Sequence, residues 1–339
     1  MHSADNNPHE YPHEIVLDVK NLRVDLPTPR GTLHAVRGID FSVRRGEMLC
    51  LVGESGCGKS MTSLALMDLL PRRAVRTADY IRFKGQDLQS LRPKQMSMLR
   101  GNQMAMIFQE PMTSLNPSFT LGDQLCETLM AHRRVSYAEA RERAVYLMER
   151  VGIPLATERL KQYPHQLSGG LRQRIIIAMA LMCGPELIIA DEPTTALDVT
   201  IQAQILRMLR ELQQELGTAV IFITHDLGVV ARIADRVAVM YAGQVVENAP
   251  VRELFHQPQH PYTRGLLACI PVQGKTVPGE PLQAIPGMVP SLVGPQQGCA
   301  FRNRCGECHE RCLVDVDWRA VSPLHAVRCV QAQATEVLV

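Results

Sequence analysis

Runs of apolar residues divide the chain into short buried strands and longer helical stretches. Met48–Val52 is uninterrupted apolar, the pattern of a strand covered on both faces, and it leads through a glycine-rich stretch into a helical pattern that lasts to Leu70. Leu187–Asp191 and Ala219–Thr224 repeat that compact apolar character, and residues 237–241 predict another strand, ended by the turn Ala242-Gly243. Residues 175–182 form an apolar helical stretch, and 116–165 is helical in pattern, with the apolar residues of 137–148 collecting late on one face. Helix-like segments near 251–255 and 261–269 precede a Pro/Gly-rich stretch, 271–298, that reads as linker. No apolar run reaches the roughly 20 residues of a membrane-spanning helix. The best, 175–190, is broken by Gly184, Pro185 and Glu186, so the chain is expected not to cross a bilayer. Residues 1–13 are polar, rich in His, Asn and Pro, and carry no apolar core of a secretory signal; they predict a flexible terminus on a protein that stays in the cytoplasm.

Composition narrows this reading only a little. A chain of 339 residues with 46% hydrophobic and 21% charged residues predicts a large globular core domain with an appendage. A formal net charge of +2, with Lys and Arg spread along the chain, gives no sign of a nucleic-acid partner. Cysteines change the picture more. Cys50, Cys57, Cys126, Cys183 and Cys269 stand singly, whereas Cys299, Cys305, Cys308, Cys312 and Cys329 crowd near the carboxyl end, which predicts a separate tail module. In a reducing compartment these are free thiols or metal ligands rather than disulfides.

The glycine-rich stretch is Gly53-Glu54-Ser55-Gly56-Cys57-Gly58-Lys59-Ser60, placed between strand and helix as a phosphate-binding loop requires. Its glycines let backbone N–H groups turn onto an anion, and the helix that follows adds a favourable dipole. Lys59 would reach the outer phosphates of a nucleotide, and Ser60 would offer a hydroxyl to Mg²⁺. The strand at 187–192 ends in Asp191 and Glu192, although buried carboxylates are costly. A magnesium nucleotide explains both: Asp191 holds the metal through water, and Glu192 polarises the attacking water as general base. Between these elements, Leu167-Ser168-Gly169-Gly170-Leu171 opens the apolar helix, with Ser168 as cap and backbone donors free to meet phosphate.

With this set the sequence resembles the ABC-transporter ATPase family, whose signature begins Leu-Ser-Gly-Gly shortly before the acidic strand. The resemblance covers residues 14–270. It implies an α/β fold: a P-loop NTPase core with an antiparallel β subdomain, a helical subdomain at about 116–165, and here a small cysteine-rich extension over 271–339. It also implies roles for Gln109 as the glutamine-loop residue at metal or water, Asp198 as the residue crossing between two cassettes, and His225 as the switch histidine at the terminal phosphate. Two features depart from the family. Leu171 stands where glutamine is commoner, and 22–26 lacks the aromatic on which adenine usually stacks, a contact worth roughly 1–3 kcal/mol. His34 or a neighbouring loop would substitute.

One glycine loop and one signature, without internal repeat, imply that a second subunit completes the site. Residues 240–247, 260–267 and 285–290 resemble the dipeptide and oligopeptide importer branch. That branch usually pairs two different ATPase subunits. The resemblance implies two transmembrane permease subunits and an extracytoplasmic substrate-binding protein as partners, and a peripheral position on the cytoplasmic face of the inner membrane. Nickel or another small solute is an alternative cargo, and a soluble ABC ATPase acting on ribosomes or DNA is an alternative class. Four thiolates in a loop-rich tail predict a metal site. Zinc is one choice, though only Cys305 and Cys308 form a close pair, and Cys305-Gly-Glu-Cys308-His309 matches a haem attachment that belongs outside the cytoplasm. By resemblance, Cys299, Cys305, Cys312 and Cys329 match the [4Fe–4S] ligands of the importer branch, leaving Cys308 as an extra thiol.

Overall fold

The computed structural model describes residues 14–109, 114–195, 197–270 and 284–332. The flexible terminus expected at 1–13, the first part of the linker expected at 271–298, and the residues immediately after Gln109 lie outside the described residues.

Two sheets organise the chain. The first is antiparallel and is dominated by β1 (Ile15–Thr28) and β2 (Gly31–Arg44), whose alternating Leu17, Val19, Val36 and Ile39 turn into the core. Its other strands are β4 (Val75–Thr77), β5 (Tyr80–Phe83) and β6 (Gln86–Asp87), in the order β2-β1-β5-β6 with β4 beside β1. The second sheet has β3 (Met48–Val52), β7 (Met104–Ile107), β8 (Leu187–Asp191), β9 (Ala219–Thr224) and β10 (Arg236–Tyr241) running parallel in the order β10-β3-β9-β8-β7. Every residue of β3, β8 and β9 is buried, which is why these strands are continuous apolar runs rather than alternating ones.

Helices cover this parallel core. α1 (Lys59–Leu66) follows β3 directly, and α2 (Pro93–Leu99) precedes β7. A helical layer then comprises α3 (Leu121–Met130), α4 (Tyr137–Arg150), α5 (Ala156–Arg159) and α6 (Gly169–Leu181). α4 starts at a capping box between Ser136 and Glu139 and buries Ala140, Ala144, Leu147 and Met148, one stripe at helical spacing. α7 (Val199–Leu216) and α8 (Leu227–Ile233) complete the alternation with β9 and β10.

The tail is not a separate module. β10 turns at Ala242-Gly243, both with positive φ, into β11 (Gln244–Pro250), and two short helices follow, α9 (Val251–His256) and α10 (Pro261–Ala268). A hairpin from the tail, β12 (Arg319–Ser322) and β13 (His325–Val327), then adds to the second sheet, with Glu247 opposite Val327 and Asn248 opposite Ala326. The joint is polar but satisfied: fully buried Glu247 takes a 2.8 Å contact from His325 Nε2 and accepts the backbone N–H groups of Gln259 and His260. Burial alone would raise the Glu247 pKa, but these bonds hold its carboxyl below the usual range. The tail also runs beside β2, where His34 N–H donates to Leu292 O at 2.9 Å. Buried Phe301 meets Tyr241, Tyr262 and His260 with ring centroids 5.2, 5.4 and 5.9 Å apart. Replacing Phe301 by Ala should therefore lower stability by about 3–5 kcal/mol. A denaturant titration checks this, and an unshifted midpoint would mean that the tail is not packed on the core.

Candidate active site

The glycine loop sits at the carboxyl end of β3, between β10 and β9, the edge where parallel sheets place ligands. Two of its glycines are compulsory. At Gly53, φ is +154° and a Cβ would lie 2.1 Å from Met240 O; at Gly58, φ is +103° and a Cβ would lie 2.3 Å from Ala35 O. α1 starts at the next residue, so its first amides face the loop. Lys59 is buried and its Nζ donates to the carbonyls of Gly53 at 2.8 Å and Glu54 at 3.0 Å, which closes the loop on itself.

Ser60 Oγ donates to Asp191 Oδ1 at 3.1 Å, and Ser63 Oγ, one turn along α1, donates to Asp191 Oδ2 at 3.2 Å. Burial pushes the Asp191 carboxyl above the usual carboxylate range, with both hydroxyls opposing the shift. The neighbouring charge of Lys59 opposes the shift as well. A buried carboxylate beside a hydroxyl, facing a phosphate-binding loop, suits a hard divalent cation held with water, so the residues present fit Mg²⁺.

Glu192 ends the same strand in a left-handed conformation, φ +47°, unusual for a non-glycine residue and of the kind concentrated at functional sites. Its N–H donates to Ile223 O on β9 at 3.0 Å, which fixes the direction of the side chain. Gln109 Nε2 lies 3.3 Å from one carboxylate oxygen and His225 Nδ1 3.2 Å from the other. Thus three residues that follow β7, β8 and β9 meet at one point. Thr195, whose hydroxyl donates to Glu192 at 2.9 Å, completes the corner.

Ser168 and Asp198 lie elsewhere. Ser168 caps α6 and Asp198 caps α7, accepting from Ile201 N–H at 2.9 Å. Together with Gly169, Gly170 and Arg174 they line an open cavity of about 560 Å³ that includes no residue of 53–60. The signature and the phosphate loop therefore face different spaces. Asp25, directly across from His34 on β1, holds its Nδ1 at 2.7 Å, and both line a cavity that includes no residue of 53–60.

All ten cysteines of the chain, the five of the tail included, are free thiols. Burial pushes the Cys299 thiol up to about 11, and the charges of Cys312, Cys329 and Cys305 add to this, so the four lie near one another. Cys308 is exposed. Among the described residues, however, no three His, Cys, Asp or Glu side chains are placed close enough to hold a metal ion. The thiols are gathered but not at ligating distance, which leaves the iron–sulfur expectation without support from their positions.

Residues 36–195 match the ABC transporter family, and 246–312 match the family described as oligopeptide/dipeptide transporter, C-terminal region. The chain is 54% identical over 293 residues to the Bacillus subtilis dipeptide transport ATP-binding protein DppD, covering 86% of this chain and 87% of that one. The chain belongs to the ABC transporter ATPase family. It is also 48% identical over 312 residues to the Salmonella typhimurium oligopeptide transport ATP-binding protein OppD, covering 92% of each. Among solved structures, the ATP-binding cassette MJ0796, determined as a dimer in a post-hydrolysis state bound to ADP and Pi, is 26% identical with a TM-score of 0.63, covering 70% of this chain and 99% of that one.

As an ABC ATPase the chain hydrolyses ATP, and the geometry assigns the work. Bound MgATP supplies the reacting phosphoryl group and a cation to polarise it. The loop's backbone and Lys59 would bind the phosphates, and Ser60 with Asp191 would place the cation. Glu192, held by Gln109, Thr195 and His225, would be the group placed to take a proton from the attacking water. Glu192→Gln should still bind MgATP but release phosphate about 10²–10⁴ times more slowly. Phosphate release beside equilibrium nucleotide binding measures both, and wild-type turnover would remove Glu192 as the base.

Proposed function

We propose that this chain is one of the two ATP-hydrolysing subunits of an importer for di- or oligopeptides. The observation that carries the cargo class is the match of 246–312 to the peptide-transporter carboxyl-terminal region, supported by relatives about half identical and named for dipeptide and oligopeptide transport. The second ATPase subunit is a different chain, and two permease subunits and an extracytoplasmic binding protein complete the assembly at the inner face of the membrane. No helix among the described residues is long and apolar enough to cross a membrane, so the passage belongs to the permeases. Phe108, next to Gln109, and Phe119, at the start of the helical layer, are exposed aromatic side chains suited to receiving permease coupling helices.

The separation of Ser168 and Asp198 from 53–60 supports the paired arrangement. A signature helix that faces away from its own phosphate loop can cover the nucleotide of a partner. ATP then favours the closed pair by binding both faces at once, and hydrolysis returns the population to the open form.

In the tail, the reading is that Cys299, Cys305, Cys312 and Cys329 bind [4Fe–4S], since an all-thiolate set selects iron–sulfur or zinc. Replacing Cys312 by Ser should strip iron from the anaerobically purified protein; unchanged iron, or zinc in its place, would refute that ligand set. Cargo is tested by uptake of labelled dipeptide and, separately, of nickel in cells whose chromosomal copy carries Glu192→Gln. The expected result is loss of peptide uptake with nickel entry unchanged. Normal peptide uptake would overturn the cargo reading.

A further inference from the structure

Phosphate-binding loops hold their ligand with backbone N–H groups and a lysine, and nothing in that chemistry requires an acid at the loop's second position. Here that residue is Glu54, a carboxylate placed in the very loop that receives a polyanion. Its charge is met from 250 residues away: Arg304 donates Nη1 to Oε2 at 2.7 Å and Nη2 to Oε1 at 3.0 Å, a two-pronged pair. The arginine side chain is only 4% exposed. Its Nε donates to Pro286 O at 2.9 Å and Nη2 also to Ile285 O at 3.1 Å, while the rings of Tyr241 and Phe301 lie 5.8 and 5.9 Å from its guanidinium carbon. A fork so held cannot swing away freely. Glu54 N–H meanwhile donates to the hydroxyl of Tyr262 at 2.9 Å, so α10 and the tail hold this residue by its backbone and its side chain.

We propose that Arg304 is a positioning residue for ATP binding, neutralising and fixing Glu54 so that the loop presents no uncompensated negative charge to the phosphates. The tail thereby acts on the nucleotide site through Glu54. This follows from the ATPase site alone and holds for any cargo.

The test is equilibrium binding of MgATP to the full chain and its variants. Arg304→Ala leaves the Glu54 carboxylate unpaired and should weaken MgATP binding about tenfold, the size expected from one charge-assisted pair. Adding Glu54→Gln removes the unpaired charge and should restore most of that affinity. Arg304→Lys, which keeps the charge and loses the fork, should fall between. Rescue by a second substitution separates this role from loss of packing, which a further change in the loop could not repair. Should Arg304→Ala fail to fold, Arg304→Gln, closer in volume, carries the same comparison. Wild-type affinity in the Arg304 variants, or no recovery with Glu54→Gln, would overturn the proposal.

Discussion

A protein that grips a polyanion through its backbone must hold that backbone in a shape few residues adopt, before the anion arrives. In this chain the constraint falls on residues 53–58. Gly53 and Gly58 have positive φ, and a side chain at either would strike a carbonyl oxygen at 2.1 or 2.3 Å. Left alone, such a segment would relax, because glycine has the most conformational freedom to regain. It is held instead by its surroundings: β3 anchors one end in the sheet, α1 continues from the other, and Lys59 ties the carbonyls of Gly53 and Glu54 together. Met240, Tyr262 and Arg304 approach from the carboxyl-terminal half. The late elements of the chain are thus part of what shapes its earliest functional motif.

The catalytic corner uses the sheet differently. Gln109, Glu192 and His225 are far apart in the sequence but follow adjacent parallel strands, so their backbones are placed by β7, β8 and β9 and their side chains meet without a long loop. Burial keeps the Asp191 carboxyl reluctant to ionise, a cost that a divalent cation offsets. Ser168 and Asp198 contribute nothing to this corner from within the same chain, because α6 and α7 aim their starts at another cavity.

Much of this was legible in the residues. Fully buried strands show as unbroken apolar runs, and the loop, the acidic pair and the capped helices occupy the places their motifs imply. Ser63 and Thr195 were missed although the signal existed, since each stands three residues beyond a recognised site residue and shares its neighbourhood. What could not be read were contacts across long sequence separations. Nothing local in Phe301 or Arg304 points to Tyr241 or Glu54, and β12 and β13 are too short for a period-2 pattern to stand out. The expected separate tail module failed for that reason, since clustered cysteines say where residues lie in the sequence and not what they pack on. The contact between His34 and Asp25 is of the same kind, a partner set by strand register.

These contacts hold the phosphate loop in its binding shape without nucleotide. Amide hydrogen exchange of the nucleotide-free full-length protein, resolved at 53–58, is the test. The N–H groups of Glu54, bonded to the Tyr262 hydroxyl, and of Cys57, bonded to Glu54 O at 3.3 Å, should exchange far more slowly than an unstructured backbone. Exchange across the segment at the rate of an open chain would mean instead that the loop takes its shape only when the phosphates bind.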